Sequence, residues 1–163
     1  VEPMYTDKVL KYFHKPINQG KIRNPDGVGK VGNIACGDMM YLYIKMDKSN
    51  KPETIKDVKF QTFGCVAAIA TSSATTEMVK GKSIEDALKL TKDNLIESLD
   101  GLPPIKIHCS VLAIEALSEA IYDYLKKNKK KIPAELEEKH KIVVKHNKEL
   151  EERYDEWIEN QKI

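Results

Sequence analysis

Three cysteines, Cys36, Cys65 and Cys109, carry the most chemistry in this chain, and each stands beside something that would expose or activate it. Cys36 lies in Ala-Cys-Gly-Asp, where Gly37 permits a tight turn and Asp38 puts a carboxylate two residues away. Cys65 follows Gly64 and directly precedes a helical stretch. Cys109 follows His108 at the start of another, so both sulfurs would feel the partial positive charge of a helix N-terminus, which favours thiolate and metal ligation. Two readings are open at this point. Spacings of 29 and 44 residues are not those of a zinc ribbon, and three separated buried thiols fit them. All three cysteines nevertheless sit where elements begin, so a fold that gathers element ends would make one metal site of them, with Asp38 and His108 as oxygen and nitrogen donors. His14, His140 and His146 read as surface or helix-face residues. A His108/Cys109 nucleophilic pair is not expected, because sequential neighbours on a helix point in different directions. No GxSxG, P-loop or HExxH motif occurs, so nothing marks an enzyme.

The elements that must position these residues follow from periodicity. Residues 5–14 form a short amphipathic helix ending before Pro16, and 18–33, dense in Gly, Asn and Pro, read as a mobile loop from which 28–33 could supply a short third strand. Met40, Leu42, Ile44 and Met46 alternate, as do Val58, Phe60 and Thr62, which predicts an antiparallel hairpin across the 47–52 turn. Small residues over 66–79 predict a closely packed helix ending at Gly81. Ser83 would cap a helix running to Asp100-Gly101, Pro103-Pro104 would force an extended stretch, and a long amphipathic helix would run past Cys109 to Asn128.

One domain accounts for 163 residues with 41% hydrophobic composition, here placed at 4–128, with Met4 as natural start and Val1, Glu2 and Pro3 as added residues. Residues 129–163 carry nine basic and nine acidic side chains in 35 and form an appended charged helix. Its seven-residue row of Leu136, Val143, Leu150 and Trp157, with His140, Asn147 and Tyr154 interleaved, fits docking on the domain better than a coiled coil. A net charge of +2 offers no field for nucleic acid, and no apolar run spans a membrane. Three cysteines cannot all pair within one chain, and the absence of a signal-type N-terminus points to the cytoplasm, as a monomer or weak homo-oligomer.

Four ordered motifs carry a resemblance: GNIACGD (32–38), TFGCVAAIATSS (62–73), EMVKGKSIEDA (77–87) and LPPIKIHCSVLA (102–113). Over residues 5–128 the chain resembles the U-type iron-sulfur cluster assembly scaffolds, IscU and the N-terminal domain of NifU. That resemblance implies an α+β fold, a three-stranded antiparallel sheet with helices packed mainly on one face, plus the appended C-terminal helix. It implies a scaffold, not an enzyme, that builds a transient 2Fe-2S cluster from iron and sulfur supplied by a cysteine desulfurase, and then passes it to apo acceptor proteins. The implied ligands are Cys36, Cys65 and Cys109, with Asp38 or His108 fourth, and with zinc able to fill the cluster-free site. Cys109 is the favoured sulfur acceptor, and Asp38 would keep the cluster labile. Leu102, Pro103, Pro104, Ile105 and Lys106 resemble a recognition segment for an Hsp70-type chaperone. Two alternatives are a SufU-like zinc-dependent sulfur acceptor, against which His108 and the compact 81–101 segment argue, and a structural zinc domain whose helical tail is the interaction module.

Overall fold

The computed structural model describes residues 4–32 and 38–161. Along the chain run α1 (Asp7–His14), β1 (Gly27–Gly32), β2 (Met39–Asp47), β3 (Thr54–Thr62), α2 (Val66–Val79), α3 (Ile84–Leu88), α4 (Lys92–Ser98), a 3-10 turn (Pro104–Lys106), α5 (Ile107–Lys127) and α6 (Ala134–Gln161). The strands form one antiparallel sheet in the order β1-β2-β3. Alternation along β2 buries Met40, Leu42, Ile44 and Met46 against the helices and leaves Met39, Tyr41, Tyr43 and Lys45 half-buried on the other face. This is the expected α+β architecture.

The 18–33 stretch is better anchored than its composition suggests. Gly27–Gly32 is a full strand, and α5 lies directly on it. A Cβ at Gly29 would sit 2.1 Å from the carbonyl oxygen of Ala116, and one at Gly27 would sit 2.2 Å from that of Ala120. Helix and strand meet backbone to backbone, with Gly27 and Gly29 on one side and Ala116 and Ala120 on the other. Both edges of the sheet are also covered. On β3, Asn18 and Gly20 bond to Phe60, and Gly81 and Lys82 bond to Ile55. On β1 the cover comes from side chains: Asp123 accepts from the Val28 N–H, and Asn147 accepts from the Gly32 N–H and donates to the Lys30 carbonyl.

α2 has no apolar stripe because it is buried on all sides. Thr71, Ser72, Ser73, Thr75 and Thr76 are fully buried, and their hydroxyls are all used. Ser72 and Thr75 donate back to the carbonyls of Ala68 and Thr71, and Ser73 accepts from the Ile17 N–H. An unsatisfied buried hydroxyl costs about 1–3 kcal/mol, and among the described residues none is left so.

Two expectations need correction. The single helix expected from Ser83 to Asp100 is two, α3 and α4, because Thr91 takes an extended backbone and forms a reciprocal capping box with Asn94, which restarts the helix. The Pro103-Pro104 stretch is extended only at Pro103, since Pro104 opens the 3-10 turn that runs into α5.

α6 docks as expected, with Leu136 and Val143 buried. Its second row makes polar contacts: His140 stacks on Tyr122 at 3.7 Å and bonds the Glu119 carboxylate at 2.9 Å. Toward its C-terminal end Tyr154 and Trp157 stack on each other and are 62% and 58% exposed.

Gly29→Ala drives a methyl into the α5 backbone and should cost about 3 kcal/mol, the upper part of the overpacking range. Thermal melts should then show a fall of roughly 6–12 °C, while Lys30→Ala, exposed beside it, changes little. Burial pushes the Glu115 carboxyl above the usual Glu range, opposed by His146. A raised folded-state pKa means stability is held below the unfolded value and lost as pH rises through the folded one. Glu115→Gln is therefore more stable than wild type at neutral pH, and the difference closes as pH falls through the Glu range, as melts across pH would show.

Candidate metal centre

Three chain segments meet at one end of the sheet. Asp38 immediately precedes β2, Cys65 is the N-cap of α2, and His108 and Cys109 lie in the first turn of α5. β2 and β3 are paired antiparallel with Met40 opposite Thr62, so the start of one strand lies beside the end of the other. Thr62 stitches them: its hydroxyl donates to the Met39 carbonyl and accepts from the Gly64 N–H. Gly64 makes the turn close enough for Asp38, because a Cβ there would lie 3.1 Å from the Asp38 carboxyl carbon and 2.6 Å from the Ala68 methyl. α5 is tied in from the other side, where the Thr71 hydroxyl reaches the Cys109 carbonyl.

The donor atoms converge. The Cys65 and Cys109 sulfurs are 3.7 Å apart, and His108 Nε2 is 3.5 Å from the Cys109 sulfur. One carboxylate oxygen of Asp38, one ring nitrogen of His108 and the Cys109 sulfur all lie within 4.8 Å of one another. Two thiolates bound tetrahedrally at about 2.3 Å are roughly 3.8 Å apart, so the sulfur pair already has the span of one edge of such a site. Cys36 lies outside the described residues. His108 and Cys109 do face each other, contrary to the expectation that neighbours on a helix diverge. The side-chain rotamers bring them together although their Cα–Cβ bonds diverge.

Positive charge gathers around the sulfurs. The N-termini of α2 and α5 both direct their partial positive charge here. The Lys106 ammonium is held above its usual range, chiefly by the charge of the Cys65 sulfur and then by Tyr5 and Cys109. Tyr5 is itself raised, first by burial and then by the charge of Cys65. Cys109 is 0% exposed and packs with Ala67, Ala68 and Leu102, whereas Cys65 is half-buried. The rim is apolar and open, with Phe63 86% and Ile105 73% exposed. Of the expected recognition segment, Pro104 and Ile105 are exposed, and Lys106 is half-buried. Tyr5 escaped the sequence reading, since a lone tyrosine ahead of a short helix carries no signal of a site 60 residues away.

Residues 4–131 match the family model described as the NifU-like N terminal domain. The chain belongs to that family. Among its relatives, the iron-sulfur cluster assembly scaffold proteins IscU 1 and IscU 2 of Archaeoglobus fulgidus are each 59% identical over 127 residues, 78% of this chain and 80% of theirs. The scaffold protein IscU of Aquifex aeolicus is 53% identical over 123 residues, 76% of this chain and 77% of its own. A structure of a scaffold protein for the SUF system from Fervidobacterium islandicum superposes with TM-score 0.59 at 25% identity, covering 72% of this chain and 96% of that one. A NifU-like N-terminal structure from Brucella abortus shares the fold, with TM-score 0.60 at 19% identity, covering 76% and 96%. The matched segment stops short of α6.

Cobalt titration followed by visible absorption reads the site directly. Wild type should give the intense bands of tetrahedral Co2+ with thiolate ligands. Cys65→Ala and Cys109→Ala should each weaken binding by more than the roughly 10–100-fold that loss of a supporting partner costs, as should Asp38→Ala or His108→Ala, whichever of the two holds the fourth position, while His14→Ala leaves it unchanged.

Proposed function

We propose that this chain is an iron-sulfur cluster assembly scaffold that receives iron and sulfur at the Asp38, Cys65, His108 and Cys109 end of the sheet and gives up the assembled cluster to acceptor proteins. The convergence of two sulfurs, a carboxylate and an imidazole at element ends, in a chain of the NifU-like family, carries the reading. Cys36, by its place in the family motif, is the third sulfur.

The donor set supports a transient 2Fe-2S cargo. Thiolates hold iron of a cluster firmly, whereas a carboxylate is harder and an imidazole is protonatable, so the fourth corner is the weak one. Sulfur arrives by exchange from a cysteine desulfurase. Cys109 is buried at rest, so the first turn of α5 must open for its thiolate to attack the outer sulfur of the enzyme's persulfide; that S–S bond breaks, and the desulfurase cysteine leaves as thiolate. His108, 3.5 Å away, holds the proton released by Cys109, and Lys106 neutralises Cys65 beside it. A chaperone that grips Pro104 and Ile105 would pull on Lys106 and the first turn of α5, and so on the ligands themselves. Among the described residues no helix is long and apolar enough to cross a membrane, and a reducing compartment such as the cytoplasm suits thiolate chemistry.

The SufU-like alternative rests on a structural neighbour at 25% identity, against 59% for the archaeal scaffolds, and His108 in the site supports the scaffold. Permanent zinc without cluster uptake would instead mark a structural zinc domain. Anaerobic reconstitution with iron, cysteine and a desulfurase decides this: visible absorption and acid-labile sulfide should show a cluster, and their absence would refute the proposal. Asp38→Ala should slow transfer of that cluster to an apo-ferredoxin. Unchanged transfer with a melting loss of about 1 kcal/mol would leave Asp38 only a capping role.

A further inference from the structure

α6 lies beyond the residues matched by the family, yet it touches the strand that leads into the metal centre. Its Asn147 side chain acts as one rung of a missing fourth strand. Oδ1 accepts from the Gly32 N–H at 3.1 Å, and Nδ2 donates to the Lys30 carbonyl at 2.9 Å. One turn on, Leu150 is so close that a Cβ on Gly32 would lie 2.5 Å from its Cδ2 and 2.6 Å from the Met39 sulfur. Gly32 pairs with Met39 across the ladder, and Met39 follows Asp38. The Met39 carbonyl is held in turn by the Thr62 hydroxyl, which also accepts from the Gly64 N–H beside Cys65. An unbroken chain of contacts thus runs from Asn147 through Gly32, Met39 and Thr62 to Asp38 and Cys65. In sequence, the segment that carries Cys36 is strung between Gly32 and Asp38.

We infer that Asn147 is a positioning residue of the metal centre: by fixing the end of β1 it sets the place of Asp38 and so the strength of the weak corner of the site. The inference rests on the reading of Asp38, Cys65, His108 and Cys109 as metal ligands. Asn147→Leu keeps the shape and the helix but removes both bonds, and Asn147→Asp keeps only the acceptor for Gly32. Asp123→Leu is the matched control, because Asp123 holds the Val28 N–H on the same edge of β1, farther from the site.

Co2+ is the probe, with its affinity and visible spectrum as readouts beside hydrogen exchange of the Gly32 amide and thermal melts. Asn147→Leu should speed Gly32 exchange, weaken Co2+ binding about 3–10-fold, at or below the cost of losing a supporting partner, and shift the ligand-field bands. Asn147→Asp should recover much of the wild-type spectrum, and Asp123→Leu should bind Co2+ as wild type does. Wild-type affinity and spectrum in Asn147→Leu would overturn the inference, as would an equal loss in Asp123→Leu, which would make the effect a general loosening of β1. Cluster reconstitution of wild type, run alongside, separates the two claims. A wild type that builds no cluster while Asn147→Leu still weakens Co2+ leaves the positioning role standing and the scaffold role fallen. The reverse pattern does the opposite.

Discussion

The contact between the α5 backbone and the two glycines of β1 is the constraint on which the remaining structure depends. Gly27 and Gly29 leave no atom between the strand and the carbonyls of Ala120 and Ala116, so the long helix is set at a fixed height and register on the sheet. Everything at its N-terminal end inherits that register, including His108 and Cys109. A helix held off by ordinary side chains would tolerate sliding by parts of an ångström, and a metal site does not. Packing at this distance forgoes apolar burial by large side chains, which is instead recovered around it by Tyr124, Leu112, Leu117 and Ile121.

The second long element at the site, α2, is held by different means. With Ala67, Ala68, Ala70 and Ala74 on its surface and its hydroxyls bonded to neighbouring carbonyls, it sits among α1, α5 and the sheet without a preferred apolar direction. Its N-terminus can therefore face the metal centre with Cys65 as the cap, a position where a thiol replaces the usual Ser, Thr or Asp. That cap makes no hydrogen bond from its side chain to the helix. The sulfur is left to other partners, and the helix goes without the stability a side-chain cap would add.

Much of this was legible in the sequence, and the exceptions have physical reasons. The alternation in Met40–Met46 and Val58–Thr62 fixed the hairpin, because one face of β2 is buried throughout and Val58 and Phe60 of β3 are buried beside it. Cys65, Cys109, Asp38 and His108 could be picked out because they stand at element boundaries. β1 was harder to see: its glycines look like loop composition, and only α5 lying on them reveals that absence of side chains is their purpose. The α3–α4 break was hidden because Thr91 and Asn94 interrupt an apolar rhythm that continues in space through Ala87, Leu95 and Leu99. His108 beside Cys109 depended on first-turn rotamers, which spacing does not encode. Asn147 occupied a heptad position as a flaw in an apolar row, and its role appears only with an unpaired strand edge placed opposite it.

Covering both sheet edges has a consequence for the protein's behaviour in a crowded solution. Two of three strands in so small a sheet are edges, and bare edges recruit extended segments of other chains into intermolecular sheets that end as aggregates. Here one edge is closed by the chain's own loop backbone at Asn18, Gly20 and Gly81, and the other by the amide of Asn147 and the carboxylate of Asp123. The chain can therefore present the Asp38, Cys65, His108 and Cys109 end of its sheet to other proteins without offering a template for misassembly along its sides.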